Sequence, residues 1–165
     1  MSNQADDEVW MRRALELAQE AYDFGEVPVG AVVVLNGKVI GEGFNRPIAL
    51  CNPTAHAEML ALQSAGEAIN NYRLAGADIY VTLEPCAMCA AAMVHARIRR
   101  LIFGAREPKA GCAVSQRQFF SEPFLNHHVE VCGGVLADES TQLLQSFFKM
   151  RREQQRQDRT PPSCS

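Results

Sequence analysis

Thr82-Leu83-Glu84-Pro85-Cys86-Ala87-Met88-Cys89 sets two thiols three residues apart, directly behind a proline. Pro85 is expected to open a helix, which puts Cys86 and Cys89 on one face of its first turn. The unpaired amides and the positive end of the helix dipole at such a turn both favour thiolate over thiol. Upstream, His56-Ala57-Glu58 offers an imidazole and a carboxylate. Two thiolates and one imidazole make three zinc ligands. Structural zinc closes with four protein ligands, whereas catalytic zinc holds three and leaves the last position to water. Glu58, beside His56, is placed to carry that water's protons.

Outward from this pair, Asp78 to Leu83 reads as a strand dense enough in apolar residues to be central. Residues 86–96 read as the helix behind it, with Met88 and Met93 as core filler. Arg100 to Gly104 is the next strand. The order strand, helix, strand makes the two strands parallel. Asn52-Pro53-Thr54 opens a helix over 54–68. Within a regular helix, residues two apart point about 200° away from each other. His56 and Glu58 therefore serve one site only if His56 lies at the irregular start or Glu58 reaches round from the first turn.

Toward the N-terminus, residues 7–24 form an amphipathic helix with Trp10, Ala14, Leu17, Ala21 and Phe24 as its apolar stripe. Two β-branched runs, 31–35 and 38–41, flank Asn36-Gly37, the strongest short hairpin signal. Gly30 stands where the backbone approaches something closely. The loop from Asn45 to Pro53 leads into His56 and is expected to wall the cavity. Asn45 carries the donors and acceptor that reading a base or ribose requires, and it equally suits a local turn. Toward the C-terminus, residues 105–126 form a long connection with a short helix near 115–120, and such a loop in a compact domain usually serves function. A short strand at 129–131 follows. Asp138 begins a last helix, with Leu143, Leu144, Phe147 and Phe148 inward and Arg151 and Arg152 near its end. The whole reads as one α/β domain over 1–152, followed by a polar tail, 153–165, that frays.

The 165 residues, 47% hydrophobic and 21% charged, suit a soluble globular domain. No apolar run approaches the ~18 residues of a membrane span, so no membrane partner is expected, and the polar N-terminus is no signal peptide. Six cysteines in a chain of this length are not a disulfide framework and fit a reducing, cytoplasmic setting. Cys51 could approach the metal, but a fourth protein ligand would close the site. Cys112, Cys132 and Cys164 read as reduced thiols, and His95 as packing. The net charge of −3 hides basic segments at 97–109 and 149–159. These suit a local phosphate-binding surface or simply solvated faces.

The HxE and PCxxC motifs, with 30 residues from His56 to Cys86, together form the pattern of zinc-dependent nucleobase deaminases. Several further stretches are specific. These are Pro28-Val29-Gly30-Ala31-Val32, Asn45-Arg46-Pro47, Pro53-Thr54-Ala55-His56-Ala57-Glu58, Phe103-Gly104-Ala105-Arg106 and the Phe147-Phe148 to Arg152 ending. With them the chain resembles the bacterial tRNA-specific adenosine deaminases from about Trp10 to Arg152. The resemblance implies a three-layer α/β/α, cytidine deaminase-like fold with a five-stranded mixed sheet. It also implies a homodimer with one Zn2+ per subunit, converting adenosine to inosine at the wobble position of an arginine tRNA anticodon stem-loop. His56, Cys86 and Cys89 match the family's zinc ligands and Glu58 its proton shuttle. Asn45 matches a base-contacting position, and Arg151 and Arg152 match the basic helix end near the RNA. Glu107 stands where Asp is usual and Ala91 where Gly is usual, while Cys112 and Val114 sit in a loop often richer in Ala and Gly. The rival readings are a deaminase of free nucleosides, nucleotides or guanine, and an RNA-binding module with structural zinc.

Overall fold

A computed structural model describes residues 3–159 of the chain. Its elements are α1 (Gln4–Asp23), β1 (Gly30–Leu35), β2 (Lys38–Phe44), α2 (Ala57–Ile69), β3 (Asp78–Leu83), α3 (Ala87–His95), β4 (Arg100–Ala105), a 3-10 turn (Phe119–Ser121), β5 (Glu130–Gly133) and α4 (Ala137–Arg159). The strands form one mixed sheet in the order β2-β1-β3-β4-β5. β1 is antiparallel to β2 and β3, and β3, β4 and β5 run parallel. Asn36 and Gly37 turn the first hairpin with φ of 52° and 73°, as a tight turn with two left-handed residues requires.

Alternation along the strands makes two apolar layers. Val33, Ile79, Val81, Leu101 and Phe103 pack beneath Ala57, Ala61 and Ala65 of α2 and Met93 of α3. On the other face, Val32, Val34, Tyr80 and Ile102 meet Met11, Ala14 and Leu17 of α1. α4 lies against β4 and α1 on that second face. The three-layer α/β/α architecture is the one expected.

Small residues seat α2 tightly on the sheet. A Cβ added at Gly41 would come within 2.4 Å of Ala61 O, and one at Gly43 within 2.5 Å of Ala57 O. Real side chains do not approach so closely, so glycine at 41 and 43 sets the height of α2. The N-terminus of α2, where His56 stands, is thereby fixed above the sheet. Gly30 makes the matching approach to α1, at Ala14 O.

Several expectations need correction. The buried stripe of α1 runs through Met11, Ala14, Leu17, Ala18 and Ala21, while Phe24 is exposed and stacks on Phe44. Phe24 ends the stripe outside the core because α1 stops at Asp23 and the chain turns away at Gly25. On α4, Phe147 is buried but Phe148, about 100° further round the helix, is exposed. The helix expected at 115–120 is a single 3-10 turn at 119–121. Residues 154–159, read as part of a polar tail, are helical and continue α4, in keeping with the good helix propensity of Gln, Glu and Arg. Residues 160–165, with Cys164, lie outside the described residues. Among those described, no helix is long and apolar enough to cross a membrane.

Candidate active site

Two helix beginnings meet at the C-terminal end of β3. His56 is the N-cap of α2, in extended conformation with φ −73° and ψ 154°. This removes the angular conflict between His56 and Glu58, because His56 stands outside the helix and Glu58 inside its first turn. Cys86 is the N-cap of α3, also extended, with φ −75° and ψ 175°. Pro85 therefore precedes the cap rather than opening the helix, and only Cys89 lies within the first turn. Both helix dipoles present their positive ends to the site.

His56 Nδ1 lies 3.6 Å from Cys86 Sγ and 3.5 Å from Cys89 Sγ. All three ligand atoms fall within 4.8 Å of one another. Tetrahedral zinc, with bonds of about 2.1 Å to nitrogen and 2.3 Å to sulfur, separates those atoms by about 3.6 Å. The donor set therefore fits zinc in both chemistry and spacing. Cys51 is exposed, its thiol donating to Ile48 O, and it is not part of the group. His95 is exposed at the end of α3 and lines a separate groove of about 870 Å3 along α2 and α3, so it does not pack in the core as expected. That groove is larger than the cavity at the metal ligands but holds none of them.

Electrostatics at the ligands follow from their contacts. The hydrogen bond from Cys89 holds the Cys86 sulfur down to about 4, against the opposing effect of burial, and His56 adds to the depression. The same bond, with burial, pushes Cys89 up. His56 is raised first by its hydrogen bond with Cys86. Glu58 is 4% exposed, and burial raises its carboxyl above the ordinary range. A buried carboxyl beside the candidate ligands is placed to exchange protons with a water held there.

A cavity of about 240 Å3 joins these groups. Asn45, His56, Glu58, Leu83, Cys86 and Glu107 line it, as do Val27 and Val29. Asn45 is thus brought to the site, fixed by its backbone N–H to Val29 O at 3.0 Å. The loop after Asn45 is held by buried Glu26, which accepts the Ile48 N–H at 2.8 Å. The sequence reading assigned no role to Glu26 or to Glu84; their burial as carboxylates is visible only in three dimensions. Ala91 lies on α3 and Val114 is exposed in the 105–126 connection; neither lines the cavity.

Arg151 and Arg152 are not at the cavity. Arg151 turns inward, its Nη2 donating to Gly25 O at 2.6 Å while its guanidinium lies 5.1 Å over the Phe147 ring. It therefore ties α4 to the end of α1. Arg152 is exposed.

The family model for the cytidine and deoxycytidylate deaminase zinc-binding region matches residues 4–105. A tRNA-specific adenosine deaminase of Haemophilus influenzae is 51% identical over 91% of this chain and 87% of its own length. One from Bacillus subtilis is 42% identical over 91% of this chain and 93% of its own. A solved structure from work on A-to-I editing by tRNA:A34 deaminases at the wobble position of transfer RNA is 48% identical, with a TM-score of 0.80, over 82% of this chain and 99% of that one. A guanine deaminase from Nitrosomonas europaea, 24% identical over 85% of this chain and 83% of that one with a TM-score of 0.74, shares the fold. With its zinc-ligand set, its sheet order and these relatives, the chain belongs to the tRNA-specific adenosine deaminases, within the cytidine and deoxycytidylate deaminase zinc-binding family.

Proposed function

We propose that this enzyme hydrolyses adenosine to inosine at the wobble position of a tRNA anticodon, that of an arginine tRNA, working as a cytoplasmic homodimer with one Zn2+ per subunit. The observation that carries the reading is the cluster of His56, Cys86 and Cys89 ligand atoms, with His56 and Cys86 lining one small cavity together with the buried Glu58. At about 240 Å3, it falls below the ~300–1,000 Å3 of ordinary ligand pockets. That volume suits one base taken out of its stack.

His56, Cys86 and Cys89 would hold zinc, which when bound would act as a Lewis acid and lower the pKa of a coordinated water from 15.7 to about 7. Glu58 takes a proton from the attacking water and delivers it to the ring nitrogen beside the amino-bearing carbon. The water oxygen bonds to that carbon, which becomes tetrahedral. The proton of the new hydroxyl passes through Glu58 to the amine, the carbon–nitrogen bond breaks, ammonia leaves, and the carbon becomes a carbonyl. Asn45 orients the base by hydrogen bonding, and Val27, Val29 and Leu83 exclude bulk water from the reacting face.

An anticodon-loop base costs less to unstack than one in a duplex. Exposed Arg152 and the basic last turn of α4, with Arg156 and Arg159, supply phosphate-attracting charge in this reading. A substrate panel tests it: free adenosine, deoxycytidylate, guanine and an arginine tRNA are each incubated with the zinc-loaded enzyme. Ammonia release confined to the tRNA is the expected result. Release from guanine or a free nucleotide alone would replace the reading with its rival.

A further inference from the structure

We propose that Glu84 is a positioning residue for this reaction, setting the substrate-side loop at residues 107–115 rather than the metal ligands. Glu84 is 2% exposed and stands between β3 and the Pro85-Cys86 segment. Its Oε1 accepts the Glu107 N–H at 3.1 Å and the Ser115 hydroxyl. Its Oε2 accepts the N–H groups of Ala113, Val114 and Ser115 at 3.1, 2.9 and 2.9 Å. These side-chain partners of the buried carboxylate all belong to one loop, and its negative charge is met by amides and a hydroxyl.

The backbone reinforces the clasp. Glu84 N–H donates to Ala105 O at 2.8 Å, and Cys112 N–H donates to Pro85 O at 2.9 Å. Gly111 lies directly over the carboxylate, where an added Cβ would stand 2.4 Å from Glu84 Cδ. Both ends of the loop are therefore folded down on one side chain. Glu107 and Ala110 of that loop line the same cavity as Asn45 and Glu58. A carboxylate is needed because four amide N–H groups and a hydroxyl all donate to it; a carboxamide would turn an NH2 toward donors.

The inference rests on the deaminase reading, so two readouts are taken together on zinc-loaded full-length enzyme. One is steady-state kinetics on an anticodon stem-loop; the other is amide hydrogen exchange of the free protein, which needs no activity. Wild type failing to release ammonia would refute the deaminase reading, while the exchange data would still judge the clasp. For Glu84→Gln the expected result is full zinc content, faster exchange confined to 107–115, and a KM raised about tenfold or more with kcat within a few fold. Gly111→Ala, which leaves the carboxylate intact but pushes the loop off it, is expected to give the same KM-weighted loss. Zinc loss in Glu84→Gln, a fall in kcat at unchanged KM, or Gly111→Ala kinetics equal to wild type would overturn the proposal.

Discussion

Cys89 Sγ lies 3.5 Å from His56 Nδ1, although 33 residues separate them in the chain. Two helix N-termini and a central strand make that approach, and Glu58 enters the same space from the first turn of α2. In the proposed reaction, metal holding and proton transfer fall to different side chains. Glu58→Ala is expected to keep its zinc while turnover falls by roughly 10²–10⁴-fold or more. Cys86→Ser is expected to lose both. Metal analysis beside ammonia release checks the pair, and normal turnover in Glu58→Ala would remove it as the proton carrier.

The seat of α2 reaches the same ligands through packing. Gly43→Ala would force a Cβ to within 2.5 Å of Ala57 O, lifting the helix start that carries His56. Overpacking of this kind costs about 1–3 kcal/mol. A lowered denaturant midpoint together with faster zinc loss to a chelator is expected. Unchanged zinc retention would show that the helix start shifts without moving His56.

Arg151 and Arg152 are adjacent but should behave differently. Arg151 bonds Gly25 O and covers Phe147, so Arg151→Ala is expected to lower thermal stability by about 1 kcal/mol. Arg152→Ala, at an exposed position, should leave stability alone and reduce the salt slope of tRNA binding by about one ion. Binding titrations at several salt concentrations read this directly. An unchanged slope in Arg152→Ala would move the RNA track elsewhere.

On the far side of the sheet, Tyr80 donates to Asp7 at 2.8 Å, and Arg100 bonds both Asp7 and Asp78. Burial, then the Asp7 bond, raises the Tyr80 phenol above its ordinary value. A raised folded value means that the neutral phenol's contribution is complete below the unfolded value, about 10, and is lost as pH climbs from there toward the folded value. Urea midpoints taken from pH 8 to 11 should therefore fall more steeply above pH 10 in wild type than in Tyr80→Phe. Parallel curves would contradict the linkage.

Much of the fold was legible because short signals agreed with one another. Asn36-Gly37 named its hairpin, and the apolar run 78–83 named the central strand. The HxE and PCxxC motifs pointed to three candidate metal ligands, which the three-dimensional spacing brings together. Less legible was anything set by a one-residue phase on a helix. Phe24 and Phe148 both look inward on apolarity alone, yet α1 ends just before Phe24 and Phe148 sits one step off the buried stripe. The cap positions of His56 and Cys86 depend on backbone angles that residue type does not dictate. Arg151 reads as a free basic residue until α1 and α4 are seen side by side. Glu84 was hidden in plain view, since its partners lie 23 to 31 residues further along.

The most direct measurement compares zinc-loaded and metal-stripped enzyme on an anticodon stem-loop carrying adenosine at the wobble position, followed by sequencing. Adenine read as guanine at that position, lost on stripping and restored by added zinc, is the expected result. Equal conversion by the metal-stripped enzyme, or no conversion by the zinc-loaded one, would contradict a three-ligand zinc centre working through Glu58.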